Sequence, residues 1–234
     1  MIQVMKIAVD GPAGAGKSTI ARLVAKQLGL RYLDTGAMYR AITLEALRRG
    51  VRADDEAALM RVATSVDLKI VFQGDNGNRI YLHDEDVTDL IRQPDVTAHV
   101  SEVSSHKKVR EFIVALQEQV GKQGSIVMDG RDIGTVVMPD ADWKFFLEAT
   151  VEERARRRRL ELEARGLIVD VLELQEQIRE RDHRDSTREI SPLKRAEDAI
   201  GVDTTSLSIA EVVDKLLGLI KEGSPDVQIS GCNH

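Results

Sequence analysis

Gly11-Pro12-Ala13-Gly14-Ala15-Gly16-Lys17-Ser18-Thr19 is the stretch of this chain with the most chemistry in it. Gly11 and Gly16 are separated by four residues and followed by a lysine and a hydroxyl, which is the Walker A spacing. The glycines let backbone N–H groups converge on phosphate oxygens at a helix N-terminus, where the dipole also favours anions. Lys17 can bridge a phosphoryl group in transfer, and Ser18 can ligate Mg²⁺. The competing reading is a glycine-rich turn with an incidental lysine. An apolar run before the loop (Val4 to Val9) and helical spacing after it (Ser18 to Leu28) favour a nucleoside triphosphate site.

Such a loop does not name a reaction. The chain has no Asn-Lys-x-Asp guanine-reading motif and no apolar strand ending in an Asp-Glu pair, so GTPase switches and many mechanical ATPases fit poorly. Asp129, after Ile126-Val127-Met128, is either an acid near the metal or a turn residue. Arg131 and Asp132 follow the same apolar run. In open α/β sheets ligands sit beyond the carboxyl ends of the strands, so a guanidinium there can grip a second phosphate bidentately.

The third chemical feature is arginine density. Between Glu152 and Arg195 stand Arg154, Arg156, Arg157, Arg158, Arg159, Arg165, Arg179, Arg181, Arg184, Arg188 and Arg195, interleaved with acids. Arg154 to Arg159 read as a solvated helix laced with Glu152–Arg156 and Glu153–Arg157 pairs. Arg181, Arg184, Asp185 and Arg188 have the spacing of one helix face. Three arginines around a carboxylate make a poor core and a good surface for phosphates and a sugar. His83, His99, His106, His183 and His234 show no metal-ligand spacing.

These groups need a scaffold. Helices are predicted over Ala37–Arg49, Glu56–Thr64, Val109–Val120 and Val171–Arg184, with strands at Ile126–Met128, Lys144–Leu147 and Ala199–Val202. Thr150–Glu153 and Ser208–Glu211 are capping boxes, the second opening a helix to Ile220. Leu68–Phe72 and Arg79–Leu82 flank Gly74-Asp75-Asn76-Gly77-Asn78, a hairpin with an Asn-Gly turn. Strands alternating with helices predict an α/β fold with a parallel sheet covered on both faces. The hairpin interrupts that alternation. The expected division is a core of residues 1–50, 106–150 and 196–221, an insert over 51–105, an arginine-rich lid over 151–195 and a disordered tail over 222–234.

Bulk properties agree with a nucleotide-handling globule. No segment approaches the ~20 apolar residues of a membrane span, and the N-terminal run reads as a core strand and not as a signal peptide. The one cysteine, Cys232, excludes an intrachain disulfide and suits the cytoplasm. A net charge of -6 argues against a nucleic-acid partner.

Gly11–Thr19, then Leu33-Asp34-Thr35-Gly36-Ala37-Met38-Tyr39-Arg40, then Asp129-Gly130-Arg131-Asp132-Ile133-Gly134-Thr135-Val136-Val137-Met138-Pro139, then Arg181-Asp182-His183-Arg184-Asp185 together resemble the bacterial-type cytidylate kinases, a family of nucleoside monophosphate kinases. The resemblance runs from about Lys6 to Ile220 and is most specific at Asp129–Pro139. It implies a P-loop core, an enlarged CMP-binding region at the insert and Mg²⁺-assisted transfer of the terminal phosphoryl group of ATP to CMP and dCMP by a monomer. It also implies residue roles. Ser101, Arg110 and Asp132 read cytosine, and Arg40, Arg131 and Arg188 hold the acceptor phosphate. Arg181 and Asp185 contact the pentose. Arg157 stands near the donor phosphates, and Lys17, Arg131, Arg157 and Arg188 act in transfer. Ser18 stands where many relatives have glycine, so metal ligation by its hydroxyl need not be general. Cytosine offers an N4 amino donor to a carboxylate, and uracil reverses that group. The alternatives are a P-loop kinase for UMP, AMP or a hydroxylated metabolite, and a nucleotide-binding switch, which would need no second phosphate site.

Overall fold

The computed structural model describes residues 4–73, 77–164 and 166–223. The chain opens with β1 (Lys6–Asp10), α1 (Lys17–Leu28), β2 (Arg31–Asp34), α2 (Thr35–Arg48) and α3 (Glu56–Ser65). β3 (Leu68–Phe72), β4 (Asn78–Leu82), β5 (Glu85–Asp86), α4 (Pro94–Val103) and α5 (Lys107–Gly121) follow. β6 (Ile126–Gly130), β7 (Trp143–Glu148), α6 (Val151–Glu163), α7 (Val171–Thr187), β8 (Ile200–Asp203) and α8 (Ile209–Gly223) complete it.

Successive side chains of a strand point to opposite faces. In β1, Ile7 and Val9 enter one core and Ala8 the other; in β6, Val127 joins the first, and Ile126 and Met128 the second. Helical apolar spacing supplies the covers. α1 (Ile20, Val24) and α8 (Val212, Leu216, Ile220) close one face, and α2 (Met38, Ile42), α3 and α5 (Val109, Ile113) close the other. The result is a five-stranded sheet in the order β2-β6-β1-β7-β8, every pair parallel. Among the described residues, no helix is long and apolar enough to cross a membrane.

The hairpin pairs antiparallel from Leu68↔Leu82 to Phe72↔Asn78 and gains β5 as a third strand. Residues 74–76 of its turn lie outside the described residues. α2 is amphipathic in two directions. Met38 and Ile42 pack on the parallel sheet, while Ala37, Ala41 and Leu44 pack on Ile80, Leu82, Val87, Ile91 and Val96. Leu59, Val62, Val100 and Val103 share the sheet-side core.

Three elements go beyond the sequence reading. β2 has only two apolar residues and becomes a strand by pairing with β6, Arg31↔Ile126 through Asp34↔Asp129. β5 is two residues long. α4 is rich in β-branched residues that disfavour helix, but Val96, Val100 and Val103 all bury on one side, and Pro94 at its first turn is a start signal. Element ends differ as well, most of all at two places. α7 continues past Arg184 to Thr187. α8 runs through Glu222 to Gly223, where the sequence reading begins its tail, because Lys221 and Glu222 are good helix formers. Residues 224–234, Cys232 and His234 with them, lie outside the described residues.

Parallel strands bring their carboxyl ends to one edge. Asp10 stands there level with Gly130, and Asp34 level with Asp129. Asp10 accepts from Ile133 N at 2.8 Å and Gly134 N at 2.7 Å, which ties the π-helical turn Ile133–Val137 to β1. Burial pushes its carboxyl up to about 6, against the pull of those two backbone donors. A raised pKa means that the contribution to stability is full below the ordinary 3.8 and is lost as pH rises through about 6. Asp10→Asn removes this titration. The unfolding free energy of wild type relative to the variant, measured in urea, should therefore fall by on the order of 3 kcal/mol between about pH 3 and pH 7. A gap independent of pH would show that Asp10 is not held in this way.

Candidate active site

The phosphate loop starts where β1 meets β7. Gly11 has φ +144°, and a Cβ there would lie 2.0 Å from the Leu147 carbonyl oxygen, so the position requires glycine. Gly16 precedes α1 in the left-handed region, with no side-chain cap on the helix. The first N–H groups of α1 are thus turned to the loop. Lys17 is buried and donates to the Pro12 carbonyl at 2.7 Å. Its ammonium is held well below the ordinary lysine range, first by burial and then by the Arg131 guanidinium.

Asp129 is a strand residue of β6, so the turn-residue reading is wrong. Its two oxygens accept from Ser18 Oγ at 2.8 Å and Tyr32 Oη at 2.7 Å. Burial, and then Asp34, push its carboxyl up to about 6. Ser18 and Asp129 offer hard oxygens beside the loop. Among the described residues no cluster of three or more His, Cys, Asp or Glu forms a metal site. Two protein oxygens fit an ion such as Mg²⁺, which keeps waters and binds through phosphates.

A buried ion pair lies at the other end of the cleft. Arg110 donates to Asp132, and both side chains are almost wholly enclosed. Arg110 Nη1 also donates to the Ser104 carbonyl at 3.1 Å, and its guanidinium lies 5.3 Å from the centre of the Tyr39 ring. Arg188 Nη2 is 3.9 Å from Asp132. Ser101 Oγ, Tyr39 Oη, Arg110 Nε and Arg188 Nη2 are buried without a hydrogen-bond partner. Such orphans are few in native folds, and four of them gathered around one ion pair call for an explanation.

Between the two ends, Arg131 Nε donates to Asp185 on α7 at 3.0 Å. Arg181 is pulled down to about 10, first by burial and then by Arg131. Arg40 is also pulled to about 10, by burial, with Arg92, Arg158 and Arg131 adding to the effect and Asp34 opposing it; it donates to Thr97 Oγ1 at 2.9 Å. Both remain protonated at neutral pH. Arg157 lies on the donor-loop side. It donates to the Thr204 carbonyl at 2.5 Å and to Glu153 at 2.8 Å, close to Gly16.

The one-face reading of the arginines fails in two places. Arg184 is exposed, and Arg188 stands past the end of α7 in extended backbone. Arg188 reaches Asp132 because the chain turns there, with its Nε donating to the Ser191 carbonyl at 2.6 Å. The expected Glu152–Arg156 pair is absent: Arg156 pairs with Glu153, and Glu152 lies near Arg179. Asp10, Tyr32, Tyr39 and Arg92 join the site without being among the residues expected there, and Arg154 is buried where a solvated face is expected. Tyr39 stood inside a quoted motif. Arg154 carried no signal distinct from its neighbours.

The family model described as cytidylate kinase matches residues 7–222. A curated relative named cytidylate kinase from Carboxydothermus hydrogenoformans is 53% identical over 216 residues, covering 92% of this chain and 97% of its own. One of the same name from a Geobacillus species is 51% identical over 220 residues, covering 93% and 97%. Among solved structures, an uncharacterized protein from Eubacterium ventriosum aligns over 94% of this chain and 99% of its own with a TM-score of 0.50 at 12% identity, a likeness of fold alone. Motifs, site and relatives agree: the chain belongs to the cytidylate kinase family.

Proposed function

We propose that this chain transfers the terminal phosphoryl group of ATP to CMP, giving ADP and CDP, and accepts dCMP as well. The observation that carries the reading is one row of charged groups with two ends, the phosphate loop and the Arg110–Asp132 pair. Lys17 in the phosphate loop lies within the field of Arg131 and Arg181, and beyond them sits the enclosed Arg110–Asp132 pair. A nucleotide switch needs the first end only.

Gly11 to Thr19 hold the ATP phosphates, and Arg157 steadies the donor side. Arg40, Arg131 and Arg188 hold the acceptor phosphate, and Arg181 and Asp185 meet the pentose. Ser101, Arg110 and Asp132 read the base. Asp132 suits the cytosine amino group, and Ser101 and Arg110 suit its acceptors. Uracil would leave the carboxylate facing an oxygen, a mismatch that such sites reject by ~10⁴ in favourable cases. Mg²⁺ beside Ser18 and Asp129 would neutralise charge on the transferring group. The acceptor is a phosphate monoester with second pKa of about 6, mostly dianionic at neutral pH. It needs no general base, so the residues contribute alignment and charge neutralisation. Closure of 151–195 over the cleft would keep water from competing as acceptor.

Lys17→Ala should abolish transfer without altering the melting temperature appreciably, since its amine supports charge in the transition state. Near-normal turnover in a folded variant would sink the phosphate-loop assignment. The base assignment is tested with Asp132→Asn, which keeps an oxygen acceptor for the Arg110 guanidinium that alanine would remove. Loss of the carboxylate should cut kcat/KM for CMP by about 1–3 kcal/mol in activation free energy and affect UMP much less. The CMP/UMP ratio is the readout, since a folding defect lowers both together; an unchanged ratio removes Asp132 from base reading.

A further inference from the structure

Arg154 differs from the other arginines of α6. It is 3% exposed, and its guanidinium meets three parts of the fold. Nε donates to the Ala149 carbonyl at the foot of α6 at 3.0 Å. Nη1 donates to the Ala13 carbonyl in the phosphate loop at 3.0 Å. Nη1 and Nη2 together grip the Asp182 carboxylate on α7, at 3.1 and 2.5 Å. Its stem also closes on the loop. Gly14 has φ +80°, and a Cβ there would come within 3.2 Å of Arg154 Cβ.

Asp182 follows Arg181, which lies in the field of Arg131 and acts in turn on Lys17, and stands three residues before Asp185, which pairs with Arg131. Successive helical residues are about 100° apart. Asp182 and Asp185 stand one turn apart on the helix and reach different partners, Asp182 the Arg154 guanidinium and Asp185 that of Arg131. α7 is thus pinned both to the phosphate loop through Arg154 and to the acceptor loop through Arg131. A bidentate fork fixes orientation as well as distance.

We propose that Arg154 and Asp182 are positioning residues that couple the donor site to the acceptor site. The guanidinium of Arg154 is engaged by protein groups at all three nitrogens, Asp182 among them. The Ala13 carbonyl and Asp182 share one guanidinium, so a rearrangement of the loop around a triphosphate is carried to the Arg181 and Asp185 side of α7. By linkage, acceptor binding acts on the donor loop to the same extent. The inference rests on the CMP kinase reading.

The test is calorimetric titration of the full chain with CMP, alone and with a saturating non-hydrolysable ATP analogue and Mg²⁺. In wild type the analogue should tighten CMP binding by about fivefold or more. Arg154→Lys, which loses the fork, and Asp182→Asn, which loses the charge, should each bring that ratio close to one. Affinity for either nucleotide alone should change little. Leu216→Ala, a core substitution on α8, should lower the melting temperature and keep the ratio, which separates coupling from general destabilisation. A wild-type chain that phosphorylates CMP but shows a ratio of one overturns the coupling, whether or not the variants fold. So does an unchanged ratio in both variants. A wild-type chain that neither binds nor phosphorylates CMP removes the kinase reading and this inference with it.

Discussion

Cations that repel one another are crowded at the carboxyl edge of the parallel sheet. Lys17 lies in the field of Arg131 and Arg181, Arg181 in that of Arg131 and Arg40, and Arg188 in that of Arg110. Opposite charges a few ångströms away offset part of the repulsion. Asp129 faces Lys17, Asp185 faces Arg131 and Arg181, and Asp132 faces Arg110 and Arg188. Apart from Asp185 and Arg181, which share α7, these carboxylates come from different elements or loops from their cations, so the cluster holds only while the elements stay packed. A ligand with phosphate groups at two places relieves what the carboxylates leave.

The sheet makes that crowding possible. Parallel strands deliver Asp10, Asp34 and Asp129 to one edge, where each carboxylate organises a neighbour. Asp10 holds the turn after Asp132 by two backbone N–H groups. Asp34 caps α2 and accepts from Arg92 at 2.9 Å. Asp129 joins Ser18 to Tyr32. The acids of this edge act first as joints of the scaffold, and their burial raises Asp10 and Asp129 to about 6.

The acceptor end follows a different physical rule. A buried ion pair contributes little net stability, because desolvation offsets the attraction. The Arg110–Asp132 pair is better understood as an oriented pattern of donors and acceptors. The enclosed Tyr39 ring beneath Arg110 holds the guanidinium plane, and the phenol and Ser101 hydroxyls add polar atoms without protein partners. Specificity for a base is a matter of matching such atoms, and a mismatch leaves a buried group unpaired.

What could be read from the chain alone was whatever depends on local spacing. The phosphate loop, the Thr150 N-cap, the Ser208–Glu211 capping box, the hairpin and the alternation of strands and helices are local, because backbone geometry and side-chain period act over a few residues. The Glu153 half of the first box is lost to Arg156 and Arg157, and the Thr150 N–H donates to Thr205. The motif order also pointed to the family. Other features depended on partners distant in sequence. β2 exists because β6 lies beside it, and α4 because its valines bury against α2 and its neighbours. By helical spacing alone Arg184 and Arg188 are equivalent, yet one is solvated and the other reaches Asp132 past the end of α7. Arg154 looked like every arginine beside it until folding set Ala13 and Asp182 within its reach. An arginine's role is set by which carboxylates and carbonyls surround it, and that neighbourhood is made by tertiary packing.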